Sequence, residues 1–367
     1  MLRKTRVRRV VVSAAALSLA AVSLAGCGKA GGGNGGSGGG DDKTIGLLLP
    51  ENKTTRYETF DRPYMEKKIK ALCSDCTVKY NNATQDAETQ KKQFDALITQ
   101  GVKVIILDAV DAQATRSWVD QAAKKGVKVV AYDRLAEGDI SAYVSYDNEK
   151  IGRLQGEALV EALGSKAKSS RVVMINGSPT DPNAPLFKKG AHSVLDKGVQ
   201  KIVYEQDIPD WSPDQANQKM NAAITKLGKS GFDGVYSAND GMAGGISTAM
   251  KKGGVKNVPL GGQDAELAGL QRIVSGDQSF TIYKAIKPEA ETTAEIAVNL
   301  LKGKKTDSLT PKTVDSKSKK GIPAQLYSAK IVTKDNIKDT IIKDKVYKAG
   351  QICTANFAKD CAAVGLR

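Results

Sequence analysis

The sequence predicts an α/β fold of two doubly wound, parallel-sheet (Rossmann-like) lobes, and three observations lead to this prediction. The chain has 367 residues, which is too long for one ordinary hydrophobic core. From Lys43 onward, short β-branched runs alternate with helical segments, a pattern typical of parallel sheets with right-handed crossovers. The alternation passes through two rounds, so we expect two lobes with a ligand cleft at the carboxyl ends of their strands.

The first round contains five predicted strands and three predicted helices. The strands are Thr44–Pro50, Thr77–Asn81, Val102–Asp108, Val127–Tyr132 and Ala142–Tyr146, and the helices are Glu58–Leu72, Ala87–Thr99 and Gln113–Lys125. The run at Val127–Tyr132 is short, β-branched and uninterrupted, as expected for a parallel strand that is covered on both faces.

The second round repeats the alternation of strands and helices, but its amino-acid sequence is not similar to that of the first round. Its predicted helices are Lys150–Leu163, Ala184–Asp196, Gln215–Leu227, Gly241–Lys251, Ala265–Val274 and Glu289–Leu301. Its predicted strands are Arg171–Ile175, Lys201–Glu205, Gly234–Ser237, Val258–Gly261 and Ser279–Tyr283. We expect an extended segment at Gln325–Val332 and a short helix at Asn336–Lys343 after a basic loop.

The N-terminus has the features of a lipoprotein signal peptide. Five basic residues precede an apolar stretch that is too short for a comfortable membrane span, so residues 1–26 are predicted to be removed. Leu24-Ala25-Gly26-Cys27 resembles a bacterial lipobox, which implies lipidation of Cys27 and extracytoplasmic anchoring to the bacterial cell membrane. Residues 27–42 are glycine-rich and are predicted to be a tether.

The chain is basic, with a formal net charge of +15, and loss of the five basic groups in residues 1–26 leaves +10. Lysines are scattered, and the densest clusters flank a predicted loop around residues 302–320. Aromatic residues make up 5% of the chain and no nucleic-acid motif accompanies the charge. We therefore favour a solvated lysine-rich surface and no nucleic-acid partner; attraction to an anionic envelope is the less specific alternative.

Four cysteines remain if Cys27 is lipidated, an even number that suits an oxidising compartment. Local pairing predicts two disulfides, Cys73 with Cys76 and Cys353 with Cys361. The Cys73–Cys76 spacing also fits a redox motif, but it follows a helical segment and precedes a strand, which favours a structural bond. No metal site is expected, because His192 is the only histidine.

Polar residues follow the predicted strands at the points where each strand ends. Asp133 and Arg134 follow Val127–Tyr132, and an incidental surface ion pair is the alternative reading of these two residues taken alone. The same arrangement recurs at Arg56-Tyr57, residues 176–183, Trp211, Asn239-Asp240, Gln263-Asp264 and Lys284. Because the carboxyl ends of parallel strands line the cleft, the repetition favours a ligand site.

The residue types in this set suit a neutral polyol. Carboxylate and amide oxygens accept hydrogen bonds from sugar hydroxyls, while arginine and lysine donate to them. The apolar C–H face of a pyranose suits an aromatic ring, which we assign to Trp211, although packing beneath a loop is the alternative for this residue. Trp118 lies in a helical stretch and is predicted to belong to the core.

Several motifs resemble the D-xylose-binding proteins of bacterial ABC importers and the related multi-sugar-binding proteins of the periplasmic binding protein family. The resemblance runs in order from about Lys43 to Lys348, and is carried by Ala131-Tyr132-Asp133-Arg134, Ser145-Tyr146-Asp147-Asn148-Glu149-Lys150, Asn176-Gly177-Ser178-Pro179, Ser237-Ala238-Asn239-Asp240, Gly262-Gln263-Asp264-Ala265-Glu266-Leu267-Ala268-Gly269 and Thr281-Ile282-Tyr283-Lys284. Tyr57 stands where the family usually has tryptophan, and the tail from Gln351 departs from its pattern.

The resemblance implies a type I periplasmic-binding-protein fold with a hinge of three chain crossings. The implied regions are an N-terminal lobe (43–146 plus 284–323), a C-terminal lobe (147–283 plus 324–350) and a tail (351–367). It implies that the sugar contacts Arg56, Tyr57, Asp133, Arg134, Asn183, Trp211, Asn239, Asp264 and Lys284.

The function implied is capture of a monosaccharide, D-xylose or a related pentose, by a monomer that delivers it to an ABC permease. A sensor that presents its closed form to a membrane receptor, and a binder of glucose, galactose or arabinose, are the alternatives. No enzyme and no cofactor are expected. A single histidine removes most acid–base schemes, and the cationic neighbours of Asp133 and Asp264 would disfavour a general acid.

Overall fold

The structure is a computed structural model that describes residues 43–366, so the predicted signal peptide, Cys27 and tether lie outside the described residues. Twelve strands are present within that range. They are β1 Thr44–Leu49, β2 Thr77–Asn82, β3 Val104–Leu107, β4 Lys128–Tyr132, β5 Ala142–Tyr146, β6 Arg171–Asn176, β7 Lys201–Asp207, β8 Gly234–Ser237, β9 Thr281–Lys284, β10 Lys312–Val314, β11 Ile322–Tyr327 and β12 Ala329–Val332.

Eleven α-helices lie between or after these strands in the described range. They are α1 Arg62–Leu72, α2 Ala87–Thr99, α3 Thr115–Lys124, α4 Asn148–Leu163, α5 Asn183–Gly198, α6 Pro213–Leu227, α7 Asp240–Lys252, α8 Leu267–Ser275, α9 Ile286–Leu301, α10 Ala349–Ile352 and α11 Ala358–Ala363. Single turns of π-helix occur at Tyr57–Asp61 and Lys338–Ile342. No helix of residues 43–366 is long and apolar enough to cross a membrane.

The first lobe is built on a seven-stranded sheet with the order β10-β11-β5-β4-β3-β1-β2, parallel except for β10. Successive residues of a strand face opposite sides of a sheet, so uninterrupted apolar runs can fill two cores. In β1, Leu47 belongs to the core on one side and Leu48 to the core on the other. Sheets covered on both faces leave their strand ends as the accessible edge, which is where the site lies.

The second lobe contains the parallel sheet β7-β6-β8 and the antiparallel pair β9–β12. Its helices α4 and α5 cross closely: a Cβ added to Gly152 would lie 2.0 Å from the Phe187 carbonyl oxygen. The chain passes between the two sheet systems three times, after β5, after β9 and between β11 and β12. The fold is the predicted type I architecture with its three-crossing hinge; the lobe limits at residues 146, 284 and 323 lie near these passages and stay a prediction.

Local predictions differ from the structure in several places, and the helix predicted at Glu58–Leu72 begins with the π-helical turn at Tyr57–Asp61. Val258–Gly261 forms only one bridge, between Leu260 and Val235, because Pro259 cannot donate to a ladder and two glycines follow. The extended segment predicted at Gln325–Val332 is divided into β11 and β12, which belong to different lobes. The predicted helix Asn336–Lys343 contains a π-helical turn at Lys338–Ile342.

Two disulfides are present in the described residues, Cys73–Cys76 and Cys353–Cys361. The second lies in the tail, where Cys361, Ile352 and Leu366 pack against Leu270 of α8 in a separate apolar cluster. Cys73, Asp75 and Cys76 are close enough to suggest a metal group. Both sulfurs are bonded to each other, so neither is a thiolate ligand.

Candidate functional site

The nine residues predicted as ligand contacts meet at one cavity between the lobes. Its lining contains all nine predicted residues together with Thr54, Asp181, Phe187 and Gln263. The lining carries three cationic side chains and three carboxylates, so its formal charges balance.

The backbone of Asp133, at the end of β4, is held in place by its conformation and by hydrogen bonds to its carbonyl oxygen. Its φ of 51° lies in the left-handed region, which aspartate tolerates better than most residues. Its carbonyl oxygen accepts hydrogen bonds from Tyr143 Oη at 2.9 Å, Ser145 Oγ at 2.7 Å and Asn183 Nδ2 at 3.2 Å. The last of these bonds crosses from one lobe to the other.

The Asp133 carboxylate faces cations. Its Oδ1 accepts from Arg56 Nη1 at 3.1 Å and lies 3.9 Å from Lys284 Nζ. Burial on its own would raise the pKa of Asp133, but Arg56, Lys284 and Arg134 outweigh burial and lower it. The group is therefore an ionised hydrogen-bond acceptor.

Arg56 follows β1 and is held by carboxylates from three elements. Besides Asp133, its guanidinium donates to Asp61 Oδ1 at 2.6 Å and to Glu289 Oε2 at 2.7 Å. Burial raises the pKa of Glu289 to about 8, although Arg56 opposes the shift. Most of the Arg56 donors are thus engaged by the protein, and the residue fixes Asp133 as much as it faces the cavity.

Arg134 connects the two lobes through Asp181. Its Nε lies 2.8 Å from Asp181 Oδ2 and 3.5 Å from Asp108 Oδ1, and its Nη1 donates to the Ala109 carbonyl oxygen at 3.1 Å. Asp181 comes from the loop between β6 and α5, whereas Arg134 follows β4. The adjacent acid predicted with it, Asp133, does not pair with Arg134 but with Arg56.

Trp211 presents its indole to the same cavity. Its Nε1–H donates to Asp181 Oδ2 at 3.1 Å, and its ring meets Phe187 edge to face at 6.5 Å. A Cβ added to Gly177 would lie 2.1 Å from the indole, so glycine is required for this close approach. The polar end of the indole is satisfied while the ring stays available to an apolar ligand face.

The remaining lining residues come from the second lobe and the hinge. Lys284 ends β9 and pairs with Asp264 at 3.1 Å between Nζ and Oδ1. Asp264 has a φ of 95°, another strained backbone position at this site. Asn239 caps α7, with its Oδ1 accepting from the Met242 N–H at 2.9 Å. Gln263 is buried and its Oε1 has no hydrogen-bond partner among the described residues.

Four lining residues and three supporting carboxylates were missed by sequence reasoning as contacts. Asp181 and Gln263 lie inside stretches that the strand-end pattern singled out, but no rule chose them within those stretches. Phe187 lies one helical turn after Asn183 in α5, a spacing that could have identified it. Asp108 and Glu289 carried no local signal, since each acts on an arginine that is distant in the sequence. Asp61 lies only five residues after Arg56, but no strand-end pattern marked it.

Comparisons with known proteins agree on one family. Residues 45–305 match the periplasmic binding protein domain. The chain is 36% identical over 314 residues to the D-xylose-binding periplasmic protein of Escherichia coli (strain K12), covering 84% of this chain and 92% of that protein. It is 30% identical to the multiple sugar-binding periplasmic receptor ChvE of Rhizobium radiobacter, covering 85% of this chain and 93% of the receptor.

A solved structure of similar fold is an ABC transporter solute-binding protein from Clostridium phytofermentans with bound β-D-glucose. It has a TM-score of 0.76 and 26% identity, and the match covers 84% of this chain and all of that one. These relatives are solute-binding proteins. With the matched domain, the shared two-lobe fold and the similarity along most of its length, this chain belongs to the periplasmic binding protein family.

Proposed function

We propose that this protein is a lipid-anchored, extracytoplasmic receptor that captures a monosaccharide, D-xylose or a related pentose, and delivers it to an ABC permease. One observation carries the proposal: nine polar and aromatic residues from both lobes converge on a single cavity whose formal charges balance. A phosphate or a carboxylate ligand would call for surplus positive charge, whereas a neutral polyol needs donors and acceptors in equal measure.

The individual groups support specific contacts with a sugar. The ionised Asp133 would accept from one hydroxyl, and Gln263 Oε1 and Asp264 offer further acceptors. Arg134 and Lys284 would donate to hydroxyl or ring oxygens. Trp211 and Tyr57 are suited to the apolar ring faces. The D-xylose-binding relatives at 36% and 35% identity favour a pentose over the hexoses.

Closure of the two lobes is the proposed route of capture and release. Asn183 Nδ2 to the Asp133 carbonyl and Arg134 Nε to Asp181 Oδ2 are contacts made only when the lobes meet. A sugar that contacts both lobes binds the closed form better and shifts the population toward it. A permease that recognises the closed form then receives only loaded receptor; a monomer suffices for this cycle.

Anchoring rests on the lipobox-like sequence before Cys27, in the signal peptide and tether region. Mass spectrometry of the N-terminal peptide, from expressing cells with and without globomycin, tests this part separately. We expect the peptide of the parent protein to carry acyl groups on Cys27, and no acylated peptide from a Cys27→Ala variant. An unmodified Cys27 in membrane fractions of untreated cells contradicts the proposal.

Titration calorimetry with a panel of D-xylose, L-arabinose, D-glucose and D-galactose tests the ligand. We expect the highest affinity for D-xylose and a strong loss with Asp133→Asn. The absence of binding heat with all four sugars rejects the proposal. Tighter binding of D-glucose than of D-xylose replaces the pentose by a hexose as the proposed ligand.

No enzymatic turnover is proposed for this site. A glycosidase needs a protonated carboxyl as general acid. Asp133 is held ionised by Arg56 and Lys284, and Asp264 is engaged by Lys284. Release of nitrophenol from nitrophenyl xyloside above the buffer rate, proportional to protein concentration, would overturn this view.

A further inference from the structure

Exposed lysines gather at one end of the first lobe, opposite the sugar cavity. We call this surface the basic pole; it consists of Lys43, Lys103, Lys124, Lys125, Lys128, Lys302, Lys304 and Lys305. In parallel strands all amino ends lie at one edge of the sheet, and the carboxyl ends at the other edge line the cavity. The pole therefore lies at the end of the first lobe that faces away from the cavity.

The sheet register aligns three of these lysines along that edge. Lys43 directly precedes β1, Lys103 directly precedes β3, and Lys128 opens β4. Neighbouring strands lie about 4.8 Å apart, so these positions form a short row. The Lys128 N–H donates to the Lys103 carbonyl oxygen at 2.9 Å, which joins two of them directly.

The remaining lysines extend the row on both faces of the sheet. Lys124 and Lys125 close α3 on one face, and Lys302, Lys304 and Lys305 follow α9 on the other. Favourable interaction with the C-terminus of a helix explains why a lysine is found at position 124. It does not explain the lysines at the strand starts or those in the loop after Lys302. Asp75 pairs with Lys43 and also attracts Lys302, whose Nζ donates to the Leu72 carbonyl oxygen at 2.8 Å, so part of the positive charge is compensated there.

The pole is also where the described chain begins. The glycine-rich segment of residues 27–42 enters the body at Lys43, and sixteen residues span at most about 55 Å even when fully extended. If Cys27 is anchored as proposed above, the basic pole is the part of the body joined most directly to the membrane. The second lobe also has exposed lysines at its strand starts, but no anchored segment enters there.

We propose that the basic pole docks on anionic phospholipid headgroups beside the anchor, as a second, electrostatic contact between the body and the membrane. Each lysine close to an anionic bilayer adds about a fivefold preference for the surface, and salt screens the attraction within a Debye length. The proposal goes beyond sugar capture and rests on the anchoring part of the proposed function.

The chemistry of Cys27 permits a direct test. The other four cysteines form disulfides, so Cys27 offers the chain's one free thiol for coupling. The chain from residue 27 is joined through this thiol to maleimide-bearing lipid in vesicles of phosphatidylcholine, with or without 25% phosphatidylglycerol. Brief lysine acetylation and mass spectrometry then report which lysines the bilayer protects. The assay requires neither sugar nor cellular lipidation, so its failure is distinct from failure of the proposed function.

We expect about fivefold or greater protection of Lys103, Lys128, Lys304 and Lys305 on phosphatidylglycerol vesicles, and its loss in 0.5 M NaCl. Lys124, Lys125, Lys304 and Lys305 changed together to glutamine should remove the protection of Lys103 and Lys128. The matched control changes Lys166, Lys201, Lys229 and Lys256, exposed lysines near the strand starts of the second lobe, and should leave it intact.

Three results overturn the proposal: protection that does not depend on phosphatidylglycerol, equal protection of both lobes, or loss of protection in the control variant as well. Calorimetry with D-xylose, where it binds the unchanged chain, accompanies every variant. Equal affinities show that both quadruple variants remain folded, so that a loss of protection reports the missing charges.

Discussion

Several residues that line the cavity also hold neighbouring side chains in position. Asp133 is the clearest case, because its carbonyl oxygen collects three hydrogen bonds while its carboxylate lies between Arg56 and Lys284. The backbone contacts fix where the carboxylate points. The cations keep it ionised, so that both of its oxygens can accept hydrogen bonds from a donor such as a sugar hydroxyl.

Asp133→Asn should weaken sugar binding about 100-fold or more. Asparagine keeps the left-handed backbone but removes the charge, so a charge-assisted bond worth about 1.5–3 kcal/mol becomes a neutral one. Arg56 and Lys284 also lose a buried partner. Calorimetry measures the affinity, and Asp214→Asn, at an exposed position, serves as the control. Affinity within threefold of the parent would remove Asp133 from the site.

Asp181 was missed by sequence reasoning, yet it joins Arg134 of one lobe to Trp211 of the other. Asp181→Asn keeps an acceptor for the indole N–H while it removes the negative charge beside Arg134. We expect a 10- to 100-fold loss of affinity, seen mainly as faster sugar dissociation, with Trp211 fluorescence of the sugar-bound form little changed. Unaltered dissociation in stopped-flow measurements would contradict this role.

Strands and helices were predictable where local patterns determine them. Short runs with apolar or β-branched residues predicted β1 through β8, and the polar residues that follow them predicted much of the candidate site, because both signals lie within a few residues. β11 pairs with β5 and β12 pairs with β9, so the chain moves from one sheet to another after Tyr327. No local sequence pattern predicts this change of sheet. Glu289 likewise matters only because α9 carries it to Arg56, 233 residues away in sequence.

The C-terminal tail is an element whose stability depends on a covalent bond. Cys353–Cys361 closes a loop with a sequence separation of 8, against 3 for Cys73–Cys76. On a loop-entropy relation these contribute about 2.5 and about 1.6 kcal/mol to the free energy of unfolding. Replacing Cys353 and Cys361 by serine should therefore destabilise more than replacing Cys73 and Cys76, in denaturant titrations of the two double variants. The reverse order would show that packing, not loop closure, dominates.

At the scale of the whole molecule, a buried carboxyl lies where the two lobes meet. Glu266 precedes α8 in the second lobe, and its Oε1 accepts from the Thr55 N–H of the first lobe at 3.2 Å. Burial, with the nearby Asp240 and Asp264 carboxylates, raises the pKa of Glu266 to about 8, although the Thr55 contact opposes the shift. Opening the lobes would expose Glu266 to water and return its pKa toward 4.5.

Closure should therefore take up a proton, and sugar affinity should depend on pH. The pKa of Glu266 is raised in the closed form. The stabilisation that protonated Glu266 gives to the closed form is therefore fully present below about pH 4.5 and is lost as pH rises through about 8. We expect affinity to fall by about tenfold or more between pH 5.5 and pH 8, with proton uptake detected as a buffer-dependent binding enthalpy. Asp240 and Glu289 also have raised pKa values, but both are buried inside a lobe and held there by Gln278 and by Arg56. Burial also raises the pKa values of Asp108 and Asp181, although Arg134 opposes both shifts, so Asp181 is a second candidate for proton uptake at the lobe contact.

Glu266→Gln separates these sources of pH dependence. Glutamine can still accept from Thr55, so affinity at pH 5.5 should stay within threefold of the parent, while the decline toward pH 8 and the proton uptake should become clearly smaller. Glu291→Gln, on the outer face of α9, provides a matched control that should retain both. A decline that persists unchanged in Glu266→Gln would assign the proton to another group and leave closure independent of this contact.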